Sequence, residues 1–136
     1  MIRELKNNFM QAALGSTLWI TALTSLFYRQ QMIPLSFVWK LFSIGGLLGF
    51  IFGVSYPYLW NYSTFQARTN ILISSVLNTL GGFLALYLFS SYLFSIVRPY
   101  FFPILGLTLI GHTLGFYFYS RYQQQRLAKE LNQIKK

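Results

Sequence analysis

The sequence has no cysteine, only two acidic residues and a single histidine among its 136 residues. Without a thiol, the chain forms no disulfide and offers neither a thiolate nucleophile nor a thiolate metal ligand. The two carboxylates, Glu4 and Glu130, lie near the two ends of the chain. This scarcity excludes catalytic carboxylate pairs, histidine-rich metal clusters and Ser/His/Asp triads. We therefore expect a protein that is not an enzyme and that needs no cofactor.

Charge is scarce and unevenly placed. Only 10% of the residues are charged, against about 25% in an ordinary soluble domain, whereas 54% are hydrophobic and 20% aromatic. Four long stretches contain no charged residue, at positions 7–28, 41–67, 69–97 and 99–120. Each is longer than the roughly 20 residues that a helix needs to cross a hydrocarbon core of about 30 Å. The sequence therefore predicts an integral membrane protein with the lipid bilayer as its solvent.

The neutral stretches are continuous and too long for barrel strands, which have about 9–11 residues of alternating polarity. We predict an all-α fold, an antiparallel bundle of four transmembrane helices in a single domain over residues 1–136. The predicted spans cover residues 9–28, 41–60, 71–94 and 100–120, and a tail covers 121–136. The connection at 95–99 is short enough to force the last two spans into a hairpin.

The basic residues predict the orientation of the chain. Eleven Lys and Arg residues give a net charge of +9, but they are dispersed over tails and short loops, so we expect no direct binding of nucleic acid. Eight lie on the side shared by both ends and the middle loop, namely Arg3, Lys6, Arg68, Arg121, Arg126, Lys129, Lys135 and Lys136. Three lie on the opposite side, namely Arg29, Lys40 and Arg98. This asymmetry predicts a multi-pass plasma membrane protein with both termini in the cytoplasm.

Tryptophan and tyrosine cluster near the predicted span ends, where amphipathic rings favour the membrane interface. Tyr56, Trp60 and Tyr119 are among them. We interpret these residues as interface anchors that need no ligand.

Glycine recurs every four residues in the second span, at Gly45, Gly49 and Gly53, and once more in the fourth span, at Gly111 and Gly115. Residues four apart share one face of a helix, and glycine there lets another backbone approach closely. We predict that both sets are helix-packing surfaces. Packing within the chain is the simpler interpretation, and a homo-oligomer or a partner helix is the alternative.

Gln11, Asn78 and His112 are the stronger polar side chains inside the spans. Polar groups in lipid usually face other helices and form hydrogen bonds there, so a structural role is the default. A proton relay usually needs an intramembrane carboxylate, which these spans lack. The alternative is that the three side chains converge and line a path for transport.

The tail at 121–136 combines a narrow apolar stripe with basic residues. Leu127, Leu131 and Ile134 share one helix face, and the basic residues are Arg121, Arg126, Lys129, Lys135 and Lys136. One interpretation is that span 4 continues into the cytosol as a helix whose basic side chains stay near anionic headgroups. The other is that this helix docks a cytoplasmic protein.

Four segments together carry a resemblance to a known family: GGLLGFIFGVS, the polar loop YLWNYSTFQART, the span TNILISSVLNTLGGFLALYLF and the ending FYFYSRYQQQRLAKELNQIKK. The chain resembles small four-span membrane proteins of unknown function that are encoded beside LytTR-type transcription regulators in Gram-positive bacteria. The resemblance implies a membrane-bound antagonist that holds a DNA-binding regulator inactive, with the tail and the middle loop as contact surfaces.

Three hypotheses about function follow. The first is a non-enzymatic regulatory protein that binds a cytoplasmic LytTR-type regulator. The alternative is a small transporter, or an accessory subunit that helps to move lipid-linked sugars. The third is a structural subunit that joins a larger complex through the glycine face of span 2.

Overall fold

A computed structural model describes residues 1–28 and 32–134, without the side chains of residues 123 and 129–134. The described chain contains helices and no strand, so the predicted all-α class is confirmed. The helices are α1 (Ile2–Phe27), α2 (Leu35–Tyr62), α3 (Ala67–Phe89), α4 (Ser91–Val97) and α5 (Phe101–Ile134), with a 3₁₀ turn at Arg98–Tyr100 between the last two. Position 29, which carries one of the basic residues used for orientation, lies outside the described residues.

Three helical stretches are long and apolar enough to cross a membrane, as judged over the described residues: Leu35–Tyr62, Ala67–Phe89 and Ser91–Ala128. Helix α1 is not among them. It is 26 residues long, but its hydroxyl residues make it less apolar than the other long helices. Thr17, Thr21 and Thr24 each donate a hydrogen bond to the carbonyl four residues earlier, at 2.7–2.8 Å, which satisfies the hydroxyl without a partner helix.

The distribution of polarity is the reverse of that in a soluble protein. Large apolar side chains such as Trp39, Leu107 and Phe118 are exposed over the outer surface. The buried side chains are few, and half of them are polar: Leu41, Ile44, Ile51, Leu59 and Phe83, together with Thr24, Asn70, Ser74, Ser75 and Thr79. Small hydroxyl residues let helices approach closely, and an apolar exterior is stable only in lipid. The structure is that of a membrane protein.

The long helices pack in an open row in the order α1, α2, α3, α5, with α4 folded against α3. Neighbours run antiparallel. The Tyr62 hydroxyl at the end of α2 donates to the Glu4 carboxylate at the start of α1. The rings of Phe37 and Phe89 meet edge to face at 5.5 Å, which joins the start of α2 to the end of α3. Helices α1 and α5 thus form the two edges of the row.

The glycine face of α2 is filled by α1. A methyl group added at Gly49 would lie 2.6 Å from the Cβ of Ala13, and one at Gly53 would lie 2.6 Å from the Cα of Phe9. At Gly45 it would overlap the Thr17 hydroxyl. Only glycine allows this approach, because every other residue would place a Cβ inside the backbone of α1. That face therefore has no room for a partner helix or a second copy of the chain.

The reversal between α3 and the last long helix differs from the prediction. The chain turns at Ser90, which is extended and whose Oγ accepts a hydrogen bond from the Leu93 backbone N–H at 3.4 Å. Residues 95–99, predicted to form the hairpin connection, are helical instead. The rings of Phe94 and Phe101 both pack on Phe83 of α3, at 6.3 and 5.1 Å. This aromatic cluster holds α4 and the start of α5 against α3.

Substitution of Gly49 should separate α1 from α2. We expect Gly49→Leu to destabilise the fold by at least about 2 kcal/mol, because the new side chain meets backbone that has no space to move. Reversible unfolding in mixed micelles measures the change. Gly46→Leu is the matched control, because a Cβ at Gly46 meets no atom within 4 Å. Equal losses for the two variants would contradict the packing described above.

Candidate functional site in the cleft between α2 and α5

A cleft of about 750 Å³ lies between the second half of α2 and α5, and α3 contributes Asn78 to its lining. It is open to the outside of the helix row. Its walls carry aromatic rings and a few polar groups, which include Phe52, Tyr56, Trp60, Asn78, Thr108 and His112. A space of this size and composition is typical of a site for a small molecule.

Pro57 explains why α2 changes its course beside the cleft. Proline has no backbone N–H and its ring collides with the carbonyl of the residue four positions earlier, here Gly53. The helix accommodates it with wide π turns at Phe50–Ser55 and Tyr58–Tyr62. The Tyr56 N–H accordingly bonds to the carbonyl of Ile51, five residues back. Wide turns shift the helix face, so a helix that first presents glycine to α1 later presents aromatic rings to α5.

Tyr56 connects three helices at the inner end of the cleft. Its hydroxyl lies 2.5 Å from Nε2 of His112 on α5 and 3.5 Å from the carbonyl oxygen of Ser74 on α3. Tyr56 therefore joins helices within the chain, whereas the sequence predicted only an anchor at the membrane interface. Trp60 lies one turn further along α2 and packs on Phe116 of α5, with ring centroids 5.7 Å apart.

The neighbours of His112 define its tautomer. Nδ1 lies 2.8 Å from the carbonyl oxygen of Thr108, and a carbonyl only accepts, so Nδ1 carries a proton. In the neutral ring Nε2 is then the acceptor of a hydrogen bond from the Tyr56 hydroxyl. Both ring nitrogens are thus engaged by the protein, and His112 has no nitrogen left for a ligand.

Asn78 is a polar group that lines the cleft from α3. Its amide lines the cleft and forms no hydrogen bond with any residue that the structure describes. It is the central residue of α3, which runs from Ala67 to Phe89, and His112 lies eleven residues into α5, about 16 Å along the helix. Asn78 is therefore at the middle of α3, and His112 lies about one turn nearer the start of α3, at the level of Ser74.

Ser74, one turn from Asn78 on the same face of α3, has a fully buried Oγ with no hydrogen-bond partner in the described part of the chain. Sequence reasoning missed both Tyr56 and Ser74. Pro57 inside an apolar run was the available signal, because proline in a transmembrane helix frees backbone groups and often marks a functional site.

Of the three polar residues singled out in the sequence, the structure brings two together. Asn78 and His112 share the cleft, whereas Gln11 is exposed on α1, at the far edge of the row. Gly111 and Gly115 also line the cleft, and a Cβ at either position would meet no atom within 4 Å. The prediction that these two glycines pack against another helix of the chain is therefore wrong, and their missing side chains widen the cleft instead.

The tail continues α5 without a break to Ile134. From position 120 to 134 the helix advances about 20 Å. Arg121, Arg126 and Leu127 are exposed on it. The side chains of Lys129, Leu131 and Ile134, and the residues Lys135 and Lys136, lie outside the described part of the structure.

Loss of the Tyr56 hydroxyl should cost stability. We expect Tyr56→Phe to lower the free energy of unfolding by about 1 kcal/mol, because His112 loses its donor in an apolar surrounding. Tyr58→Phe is the control on the same helix, since Tyr58 is exposed. Unfolding in mixed micelles measures both, and an unchanged Tyr56→Phe variant would contradict the hydrogen bond.

Comparison of the chain with known protein families, with curated proteins and with solved structures finds no match.

Proposed function

We propose that the protein crosses the plasma membrane four times with both termini in the cytoplasm. Helix α1 supports a fourth span because 26 residues extend about 39 Å and because it follows α2 along its whole length, from Glu4 beside Tyr62 to the glycine face. The start of α1, the loop between α2 and α3 and the end of α5 lie on the same side of the bundle, as seen along the helix axes. Most of the basic residues are at that end, which favours the cytoplasmic side.

We propose further that the protein is a small transporter, or the membrane subunit of one, for a molecule with a polar head and an apolar tail. The observation that carries this proposal is the open cleft beside Asn78, at the middle of α3, and the Tyr56–His112 pair about one turn away. Polar groups at mid-depth are costly, and transporters place their substrate sites there.

An open cleft suits an amphipathic substrate in particular. The polar head would enter beside Tyr56 and Asn78 while the apolar tail stays in lipid. Lipid-linked sugars are substrates of this kind. The cleft holds one histidine, hydroxyl groups and two amides, with no thiol and no carboxylate among the residues that line it, so we propose binding and movement of the substrate without catalysis.

Replacement of Asn78 and His112 should abolish transport. The assay uses liposomes that contain the protein and lipids with a fluorescent head, whose arrival at the outer leaflet is measured by a membrane-impermeant quencher. We expect Asn78→Leu with His112→Leu to reduce the protein-dependent rate at least tenfold. Gln11→Leu is the control, because it removes a polar group outside the cleft. A double variant as fast as wild type, or a wild type no faster than empty liposomes for every lipid head, would refute the proposal.

A second candidate function is the docking of a cytoplasmic LytTR-type regulator. It is supported by the continuation of α5 for about 20 Å beyond the span, with Arg121, Arg126 and Leu127 exposed on it. A basic helix with one apolar stripe is a common docking element.

Deletion of residues 121–136 should then abolish association with such a regulator in a bacterial two-hybrid assay. The full chain with Arg121 and Arg126 both changed to Gln is the companion variant, since it keeps the helix and weakens only the charge. Unchanged association after the deletion would remove the tail from any docking role.

A further inference from the structure

The cleft contains no fixed charge. Among the residues that line it there is no Lys, Arg, Asp or Glu. A phosphate or an ammonium group brought to mid-depth would find no counter-charge there, and an unpaired charge in hydrocarbon is very costly. The part of the ligand that reaches the inner cleft is therefore uncharged.

The hydrogen bonds on offer are of both kinds. The Asn78 amide provides two donor hydrogens and an accepting oxygen, none of them used by the described chain, and the Tyr56 oxygen keeps a lone pair that the contacts with His112 and Ser74 leave free. A group that both donates and accepts matches this set. Hydroxyl groups do so, whereas ethers and esters only accept.

Aromatic rings form much of the wall of the cleft. Trp60 and Phe116 lie with ring centroids 5.7 Å apart and planes inclined by 32°, and Phe52 stands beside Tyr56 at 5.4 Å. The negative face of an aromatic ring attracts positively polarised hydrogens. The C–H groups on one face of a sugar ring are polarised in this way. A sugar also carries hydroxyl groups around its rim.

We infer that the cleft recognises the uncharged sugar head of a glycolipid, with Asn78 as the residue that selects the hydroxyl groups and Trp60 as the ring on which the sugar stacks. This inference rests on the proposed function, because it names the substrate class of the same cleft. A charged lipid head is rejected because the site gives it no partner. A bare diacylglycerol binds more weakly because its single hydroxyl pairs with only part of the Asn78 amide and it has no sugar ring to stack on Trp60.

Trp60 provides the readout. The chain has three tryptophans, and Trp19 and Trp39 are exposed on the outer surface, so a variant with Trp19→Phe and Trp39→Phe reports on the cleft alone. This variant is placed in phosphatidylcholine nanodiscs and titrated with monoglucosyl-diacylglycerol, phosphatidylglycerol and diacylglycerol of identical acyl chains. We expect a saturable change in Trp60 emission with the glucosyl lipid, and at least tenfold weaker binding of the other two.

In this background, the further substitution Asn78→Leu should weaken binding of the glucosyl lipid at least tenfold, whereas Gln11→Leu should leave that binding unchanged. Equal responses to phosphatidylglycerol would overturn the sugar class while leaving the cleft as a lipid site. Full binding by the Asn78→Leu variant would overturn its selecting role. A silent Trp60 with all three lipids would overturn the inference outright. The transport assay then decides the proposed function separately, because it measures movement of any labelled head.

Discussion

Hydrocarbon offers no hydrogen bonds, so each polar group within the membrane must find its partner in the protein or in a ligand. The structure follows from this constraint. Hydroxyl residues on α1 bond to their own helix, and helices meet through glycine and small polar side chains, because burial of large apolar groups gains nothing in lipid. The close approach of α1 to Gly49 and Gly53 is the clearest result. It fixes one edge of the row and leaves the opposite face of α2 for another use.

That opposite face is where the constraint is not met within the described chain. Pro57 widens the helix, Tyr56 turns towards His112, and Gly111 with Gly115 leaves space where side chains would otherwise fill the gap between α2 and α5. The Asn78 side chain lines that space and has no hydrogen-bond partner in the described chain. The same sequence features that prevent tight packing thus create a cleft whose polar groups match a polar substrate.

The helical class could be predicted because long uncharged runs leave few other solutions, and the four-residue spacing in span 2 marked a face for close contact. The same spacing at Gly111 and Gly115 was misleading, since spacing alone does not distinguish a packing groove from the floor of a cleft. The turn at Ser90 was missed because the apolar sequence continues without interruption on both sides. Tyr56 was assigned to the interface because it lies near the predicted end of span 2, and the sequence does not show that the π turns beside Pro57 direct it towards α5.

The central claim is that α5 has one face towards lipid and another towards a polar cleft at the same depth. Nitroxide labels on single cysteines at positions 110 and 111 test this directly, since the chain has no native cysteine, Ile110 is exposed on the outside and a side chain at Gly111 meets no neighbour. The account predicts that in bilayers the label at 110 reports an apolar, oxygen-rich surrounding and the label at 111 a polar one. Two equally apolar surroundings would contradict the cleft, and two equally aqueous ones would contradict the membrane location.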